Sequence, residues 1–161
     1  MRQSTQGFTF VEIILVILMM GVIAAMAIPN FSRTYLRFQL QQCTEDLAYL
    51  MRYAQSRAVA KGQMVRLEFD SEFRHYRLTQ NNADDSFADA EQNFINIAGR
   101  LGRKVNIPQE IRVETSDPLV YFYTDGNMEK QRIYICLKEH CQTVSTQEQR
   151  GFVQVFDSRV E

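Results

Sequence analysis

The stretch that decides the fold runs from Gly7 to Pro29 and reads GFTFVEIILVILMMGVIAAMAIP. Within it, Phe8 to Ile28 is a run of 21 residues with a single charge, Glu12. A helix of that length spans about 31 Å, close to the thickness of the hydrocarbon core of a bilayer. A buried helix of a globular protein would normally show a polar face, and this run shows none. The pattern therefore predicts a helix inserted in a membrane.

A short polar leader precedes this run. Met1 to Gly7 carries one basic side chain, Arg2. An ordinary secretory signal places its apolar stretch before the cleavage site. Here the leader ends where the apolar stretch begins, so cleavage between Gly7 and Phe8 would leave the helix on the mature protein. Arg2 and the polar sequence after Ile28 predict the leader in the cytoplasm and the rest of the chain outside.

Glu12 is the charged residue inside the apolar run. An ionised carboxylate in such a helix costs several kcal/mol unless it is paired, and it marks a candidate functional site. No cation follows within a helical turn, so one interpretation is a partner from another molecule. The alternative is a carboxylate that reaches the membrane interface, one turn from the helix start.

The sequence Gly7-Phe8-Thr9-Phe10-Val11-Glu12, followed by the apolar run and Pro29, closely resembles the N-terminus of type IV pilins and pseudopilins. The resemblance implies that a prepilin peptidase cuts after Gly7 and N-methylates Phe8. It also implies that Glu12 pairs with the N-terminal amine of a neighbouring subunit during filament assembly. Such a pair would neutralise two charges in an apolar filament core.

A second helical pattern follows Pro29, which predicts a kink rather than an end to the helix. Apolar residues recur at spacings of three and four as far as Lys61, and Gly62 is the predicted stop. The members of this stripe are Leu36, Leu40, Cys43, Leu47, Leu50, Ala54 and Ala58. Residues 30–62 are therefore predicted to be an amphipathic stem.

Beyond Gly62 the apolar period changes to two, which is typical of strands. Residues 64–69 and 74–78 are predicted to form a β-hairpin, and Asp125-Gly126 a turn. Further strands are predicted at 94–97, 104–107, 111–114, 119–124, 132–137 and 152–156. Antiparallel sheets are expected, because no helical pattern separates the strands.

The segment from Leu47 to Ala58, followed by Gly62 and a strand, resembles the GspH/FimT class of minor pseudopilins and minor pilins. So does Phe122-Tyr123-Thr124-Asp125-Gly126, although Thr124 stands where the class usually has proline. The resemblance implies an α+β, type IV pilin-like fold, with a long N-terminal helix packed on antiparallel sheets. Its parts would be a leader at 1–7, a membrane or filament-core half-helix at 8–29, the stem at 30–62 and a β-rich periplasmic head at 63–161.

The chain contains three cysteines. Cys136 and Cys141 come within disulfide range if strand 132–137 ends in a turn, and an oxidising compartment would favour the bridge. The loop closed is short, so the predicted stabilisation is modest. Cys43 lies on the apolar stripe and is predicted to be a buried free thiol.

Other candidate chemistry is sparse. His75 and His140 do not complete a zinc spacing with the cysteines, and the acidic stretch Asp84, Asp85, Asp89 and Glu91 lacks the EF-hand spacing and reads as a solvated loop. No catalytic order of Ser, His and Asp and no nucleotide-binding loop is present. We therefore expect no enzyme, no cofactor and no metal site.

The charge balance bears on nucleic acid as a partner. The 161 residues carry 18 Lys+Arg and 19 Asp+Glu, a net charge of −1, which argues against a chain that coats nucleic acid. Arginines of the stem and hairpin can form a local basic surface, but Arg150 and Arg159 near the C-terminus are scattered. A solvated helix face with local salt bridges is the favoured interpretation.

The resemblance implies a minor pseudopilin of a type II secretion system, assembling at or near the tip of a periplasmic pseudopilus. It would pass once through the bacterial inner membrane, with its head in the periplasm. The implied partners are other pseudopilins or minor pilins, the prepilin peptidase and the membrane. Two alternatives stay open at this point: a minor pilin of a type IV pilus, and a DNA-uptake pilin that binds DNA.

Overall fold

The computed structural model of the chain describes residues 9–82, 93–147 and 152–160, and for residues 26–33 it describes the backbone alone. In this part of the chain one long helix is followed by nine short strands. The elements are helix α1 (Phe10–Lys61) and strands β1 (Val65–Phe69), β2 (His75–Asn81), β3 (Phe94–Asn96), β4 (Val105–Asn106), β5 (Arg112–Thr115), β6 (Leu119–Phe122), β7 (Arg132–Leu137), β8 (His140–Ser145) and β9 (Gln154–Phe156). A 3-10 turn, Arg100–Gly102, precedes β4.

The chain divides into two compact units, Met1–Arg37 and Phe38–Glu161. Helix α1 contributes to both. We call its described residues 10–25 the leading half and its residues 38–61 the trailing half. The larger unit holds the trailing half and all the described strands.

Local sequence explains both ends of helix α1. Before the first turn, the carbonyl of Thr9 accepts the backbone N–H of Glu12 at 3.1 Å, and the Thr9 hydroxyl accepts it at 3.3 Å. Thr9 is therefore the N-cap. At the other end Gly62 has φ 63°, the left-handed conformation that ends many helices. The predicted stop at Gly62 is confirmed.

The first sheet contains β3-β2-β1-β6 in that order, and β4 also pairs with β2. All of these pairings are antiparallel. β1 and β2 form the predicted hairpin, in a register that sets Val65 opposite Gln80 and Phe69 opposite Tyr76. The antiparallel α+β architecture expected from the sequence is confirmed.

The second sheet has the order β5-β7-β8-β9, also antiparallel. Its register aligns one residue from each strand in a row across the sheet: Glu114, Tyr134, Thr143 and Phe156. β8 was not among the predicted strands. β2 extends three residues beyond its predicted end, to Asn81. The other predicted bounds shift by at most two residues, since β6 ends at Phe122 and β9 begins at Gln154.

The segment 157–160, which we call the strap, crosses this row. The Thr143 hydroxyl donates to the carbonyl of Ser158 at 2.7 Å, and the Tyr134 hydroxyl donates to the carbonyl of Val160 at 2.9 Å. Arg159 lies over the Tyr134 ring and forms an ion pair with Glu114 at 3.3 Å. The strap therefore ties β9 to β5, the two outer strands of the sheet.

The core forms where the trailing half packs on the sheets. Six of the seven stripe residues are buried there, and Leu36 is half-buried. The buried face is wider than predicted because Thr44, Ala48 and Met51 are also buried. Thr44 can lie inside because its hydroxyl donates to the carbonyl of Leu40 at 2.9 Å.

Candidate assembly site

Glu12 lies in the first turn of helix α1 and is exposed. Unpaired backbone N–H groups give a helix N-terminus partial positive charge, which favours a carboxylate in that turn. Thr9 satisfies the N–H of Glu12 itself. The sequence Thr9-Phe10-Val11-Glu12 has the spacing of a capping box, a signal the sequence analysis did not use.

The leading half exposes its apolar side chains in every direction. Each residue from Phe10 to Ala25 is exposed, and Phe10 keeps 78% of its surface accessible. A soluble monomer rarely exposes so large a contiguous apolar surface. Such a surface needs another hydrophobic partner to cover it.

Two sequence-predicted features of this region have a limited structural description. Gly7 and Phe8 lie outside the described residues, so the cleavage and methylation site stays a prediction. Pro29 lies within the range of helix α1, and its kink also stays a prediction. Within the described residues, no helix is both long enough and apolar enough to cross a membrane.

The trailing half is fastened to the strands by three side chains on the flanks of the buried stripe. Arg52 donates to the carbonyl of Val153 at 3.1 Å. Gln55 donates to the carbonyl of Gly126 at 2.8 Å, in the turn predicted at Asp125-Gly126. Arg57 donates to the Gln80 side chain at 2.8 Å. These contacts attach the helix to strand β2, to the turn after β6 and to the residue before β9.

Arginines predicted to form a basic surface mostly have partners within the larger unit. Arg52 and Arg57 bond to the strand region as described, and Arg74 donates to the carbonyls of residues 108, 109 and 111. Arg66 and Arg77 both form ion pairs with Glu68. Their hydrogen-bonding capacity is directed at the protein itself, which weakens the case for nucleic acid on this face.

Cys136 and Cys141 are joined by a disulfide across the β7–β8 hairpin, with Cα atoms 4.1 Å apart. They face each other in the register, and the turn between the strands contains Lys138, whose φ is 56°. Cys43 is a buried free thiol. Burial, together with the nearby Asp46 carboxylate, raises the pKa of Cys43 to about 11, so the thiol stays protonated.

A charged cleft of about 220 Å³ lies beside the β1–β2 turn. On one side of it, the Asp70 carboxylate accepts a hydrogen bond from the ring Nδ1 of His75 at 2.7 Å. It also accepts hydrogen bonds from the backbone N–H groups of Arg74 and His75, at 2.7 and 3.0 Å. Partial burial acts to raise the pKa of Asp70, but these hydrogen bonds prevail and hold it at about 2. Spacing along the sequence does not reveal this cleft, because it depends on which residues the hairpin register brings together.

Among the residues that the structure describes, His75 and His140 lie apart and do not form a cluster with the cysteines. His75 bonds to Asp70, while His140 opposes Leu137 in the other sheet. Among the described residues no group of His, Cys, Asp or Glu is arranged to hold a metal ion. The acidic stretch from Asp84 to Glu91 lies outside the described residues.

Most of the chain is similar to known proteins in sequence pattern or in fold. Residues 44–152 match the family model described as type II transport protein GspH. The fold is similar to that of the minor pseudopilin EpsH from the type 2 secretion system of Vibrio cholerae, with a TM-score of 0.62 and 12% identity over 74% of this chain and 97% of EpsH. It is also similar to the type IV minor pilin FimU of Pseudomonas aeruginosa PAO1, with a TM-score of 0.55 and 19% identity over 74% and 89% of the two chains. Among curated proteins, no sequence matches this chain.

Proposed function

The chain belongs to the family of the type II transport protein GspH and is a minor pseudopilin of type II secretion, and from this premise we propose that it assembles at or near the tip of a periplasmic pseudopilus. In this position it would support protein export as a structural subunit without catalytic activity. It would be held in the bacterial inner membrane before assembly, with its head in the periplasm. The observation that carries the proposal is the division of helix α1 into a leading half that is exposed and apolar and a trailing half that is buried on the sheets.

The leading half supplies the filament contact in this proposal. Apolar helices from several subunits would cover one another's surfaces, gaining roughly 25 cal/mol for each Å² of apolar surface kept from water. Before assembly, the bilayer would cover the same surface. The proposal thus gives the exposed side chains from Phe10 to Ala25 two successive environments, both hydrophobic.

Glu12 would determine how each helix aligns with the helix of the neighbouring subunit. In an apolar bundle its carboxylate is stable only with a partner charge. We infer that this partner is the N-terminal amine of Phe8 on the adjacent subunit, formed when the prepilin peptidase removes residues 1–7. Pairing in one register only would set the axial offset between subunits.

Replacing Glu12 tests this proposal. With Glu12→Leu the peptidase should still remove residues 1–7, so the mature mass should differ from wild type only by the substitution. Incorporation into pseudopili should fall by about tenfold or more. Burying an unpaired amine costs at least about 1.4 kcal/mol, the free energy that corresponds to a tenfold change in an equilibrium constant. Incorporation is measured by crosslinking to other pseudopilins in sheared filament fractions.

The matched control is Glu45→Leu, which removes another exposed glutamate of the same helix, in its trailing half. It should incorporate at the wild-type level. If Glu12→Leu incorporated as well as Glu45→Leu, the assembly role of Glu12 would be wrong, although family membership would stand.

The alternative function, that of a minor pilin of a type IV pilus, fits less well, because the fold similarity to FimU has a TM-score of 0.55 against 0.62 for EpsH. The two candidates differ in their neighbours. Crosslinking and mass spectrometry of the full chain in its native membrane should recover other pseudopilins in the first case, and pilins of a retractable pilus in the second.

A further inference from the structure

The segment between β3 and β4 forms a tightly folded basic loop, residues 98–104, with the sequence AGRLGRK. Two glycines shape it. Gly99 has φ 99°, and a Cβ on Gly102 would lie 1.8 Å from the carbonyl oxygen of Ile97, so a side chain is excluded there. The loop is anchored on both sides, because β3 and β4 both pair with β2. Its conformation is therefore set by the fold.

Three cations project from this loop within five residues: Arg100, Arg103 and Lys104. All three are exposed. Among the residues that the structure describes, none of the three side chains has an ion-pair or hydrogen-bond partner. They differ in this from Arg66 and Arg77, which share Glu68.

Lys104 also lines the charged cleft, together with Glu68, Asp70, His75 and Arg77. The two acids of the cleft already have partners. Glu68 accepts from Arg66, Arg77 and Thr79, and Asp70 accepts from His75 and two backbone N–H groups. Lys104 thus forms no ion pair with either of these acids.

We propose that the basic loop binds a carboxylate-rich segment of a second protein. A guanidinium presents a planar pair of donors that matches a carboxylate, and the lysine ammonium adds a point charge. The carboxylates of Glu68 and Asp70 line the cleft and would repel an acidic side chain there. The segment would therefore lie along the loop, with its carboxylates beside Arg100, Arg103 and Lys104.

The surroundings favour a peptide over nucleic acid. A duplex-binding protein typically contacts about 6–10 phosphates, whereas this loop offers three cations. An acidic peptide has wider spacing between its charges and can place one of them beside Lys104.

This inference rests on the larger unit alone and does not depend on the proposed position at the tip or on the role of Glu12. A binding measurement on the purified protein can therefore fail while the filament proposal stands, and the reverse also holds. The probe is a fluorescein-labelled oligoglutamate peptide, titrated with the full chain in mild detergent and followed by anisotropy.

Lys104→Glu should weaken oligoglutamate binding by about tenfold or more, and wild-type binding should weaken as salt is raised. The matched control is Lys130→Glu, the same charge change at an exposed lysine outside the loop, which should bind as wild type. Lys104→Gln provides a milder variant, with circular dichroism to check that both variants are folded.

Three outcomes would overturn the proposal. Equal binding by the Lys104 and Lys130 variants would show that the loop is not the site. Tighter binding of duplex DNA than of oligoglutamate at the same salt would identify a nucleic-acid surface instead. Tighter oligoglutamate binding after Asp84, Asp85, Asp89 and Glu91 are changed to their amides would identify the chain's own acidic stretch as the occupant.

Discussion

The two halves of helix α1 have the same backbone conformation but different surroundings. In the leading half every residue from Phe10 to Ala25 is exposed. All of them are large and apolar except Glu12 and the small residues Gly21, Ala24 and Ala25. In the trailing half one face is buried against the sheets, and the opposite face is mostly polar, with Phe38, Tyr49 and Val59 also exposed. The trailing half has found its hydrophobic partner within the chain, and the leading half has to find one outside it.

The difference shows that a helix forms in this molecule whether or not its apolar side chains are buried by the rest of the chain. Backbone hydrogen bonds and the caps at Thr9 and Gly62 support the whole helix. Only the trailing half adds the stabilisation of tertiary packing. Mutations in the trailing half should therefore affect the stability of the larger unit, and mutations in the leading half should affect assembly.

The largest expected effect comes from removing a buried side chain. Leu47 is 1% exposed, so Leu47→Ala should lower the free energy of unfolding of the larger unit by about 2–5 kcal/mol. Leu15→Ala, the same truncation in the leading half, should change it by less than about 0.5 kcal/mol. Urea unfolding followed by tyrosine fluorescence measures both. Similar losses for the two variants would break the comparison.

A smaller effect is expected from overpacking. Ala54 is fully buried, and Ala54→Leu should destabilise the larger unit by about 1–3 kcal/mol because the sheet surface leaves no room. Ala24→Leu, on the exposed leading half, is the control and should leave the unfolding midpoint unchanged. A neutral Ala54→Leu would mean that the trailing half packs more loosely than its burial indicates.

A third effect appears in acid and concerns the hairpin on which the trailing half packs. The pKa of Asp70 is about 2 in the folded chain and near 4 in an unfolded one. The stabilisation from its hydrogen bonds is therefore complete above about pH 4 and is lost as the pH falls from 4 to 2. Asp70→Asn should remove that part of the pH dependence, about 1 kcal/mol or less after solvent screening.

Thermal unfolding at several pH values tests this prediction, with Asp46→Asn as a control carboxylate on the helix. If the wild type and Asp70→Asn lost stability in parallel between pH 4 and 2, the hydrogen bonds to Asp70 would contribute nothing to folding.

The smallest expected effect is a gain. Lys138 has a positive φ of 56° in the β7–β8 turn, a conformation that costs a residue with a side chain about 1 kcal/mol. Lys138→Gly should raise the free energy of unfolding by roughly 0.5 kcal/mol, since the added freedom of glycine when unfolded offsets part of the gain. Glu139→Gly should give no gain. This pair sharpens the comparison by changing the larger unit without touching the helix.

Much of the fold could be predicted because the chain changes its apolar period at Gly62. The stripe along the stem, the stop at Gly62 and the β1–β2 hairpin all follow from local spacing. β8 could not be predicted in this way, because its buried residues include Thr143 and Ser145. Thr143 is buried under the strap, which accepts its hydroxyl, and hydropathy does not register such long-range compensation.

The candidate site divides in the same manner. Glu12 is visible in the sequence because one charge interrupts an apolar run. The cleft is not, since Glu68, Asp70 and Lys104 are brought together by the pairing of β2 with β1 and β4. The apolar pattern also predicts too narrow a buried helix face. Thr44 is a polar residue, but it can be buried because its hydroxyl donates a hydrogen bond to the carbonyl of Leu40.

The strap has a consequence for the time course of synthesis. A chain leaves the ribosome in order, and domains generally fold as units once their parts are present. Arg159 bonds to Glu114, and the strap covers Tyr134 and Thr143, so it emerges after every strand that it fastens. The leading half is made well before it. The exposed apolar segment is thus available early, while closure of the second sheet waits until residue 160 has been added.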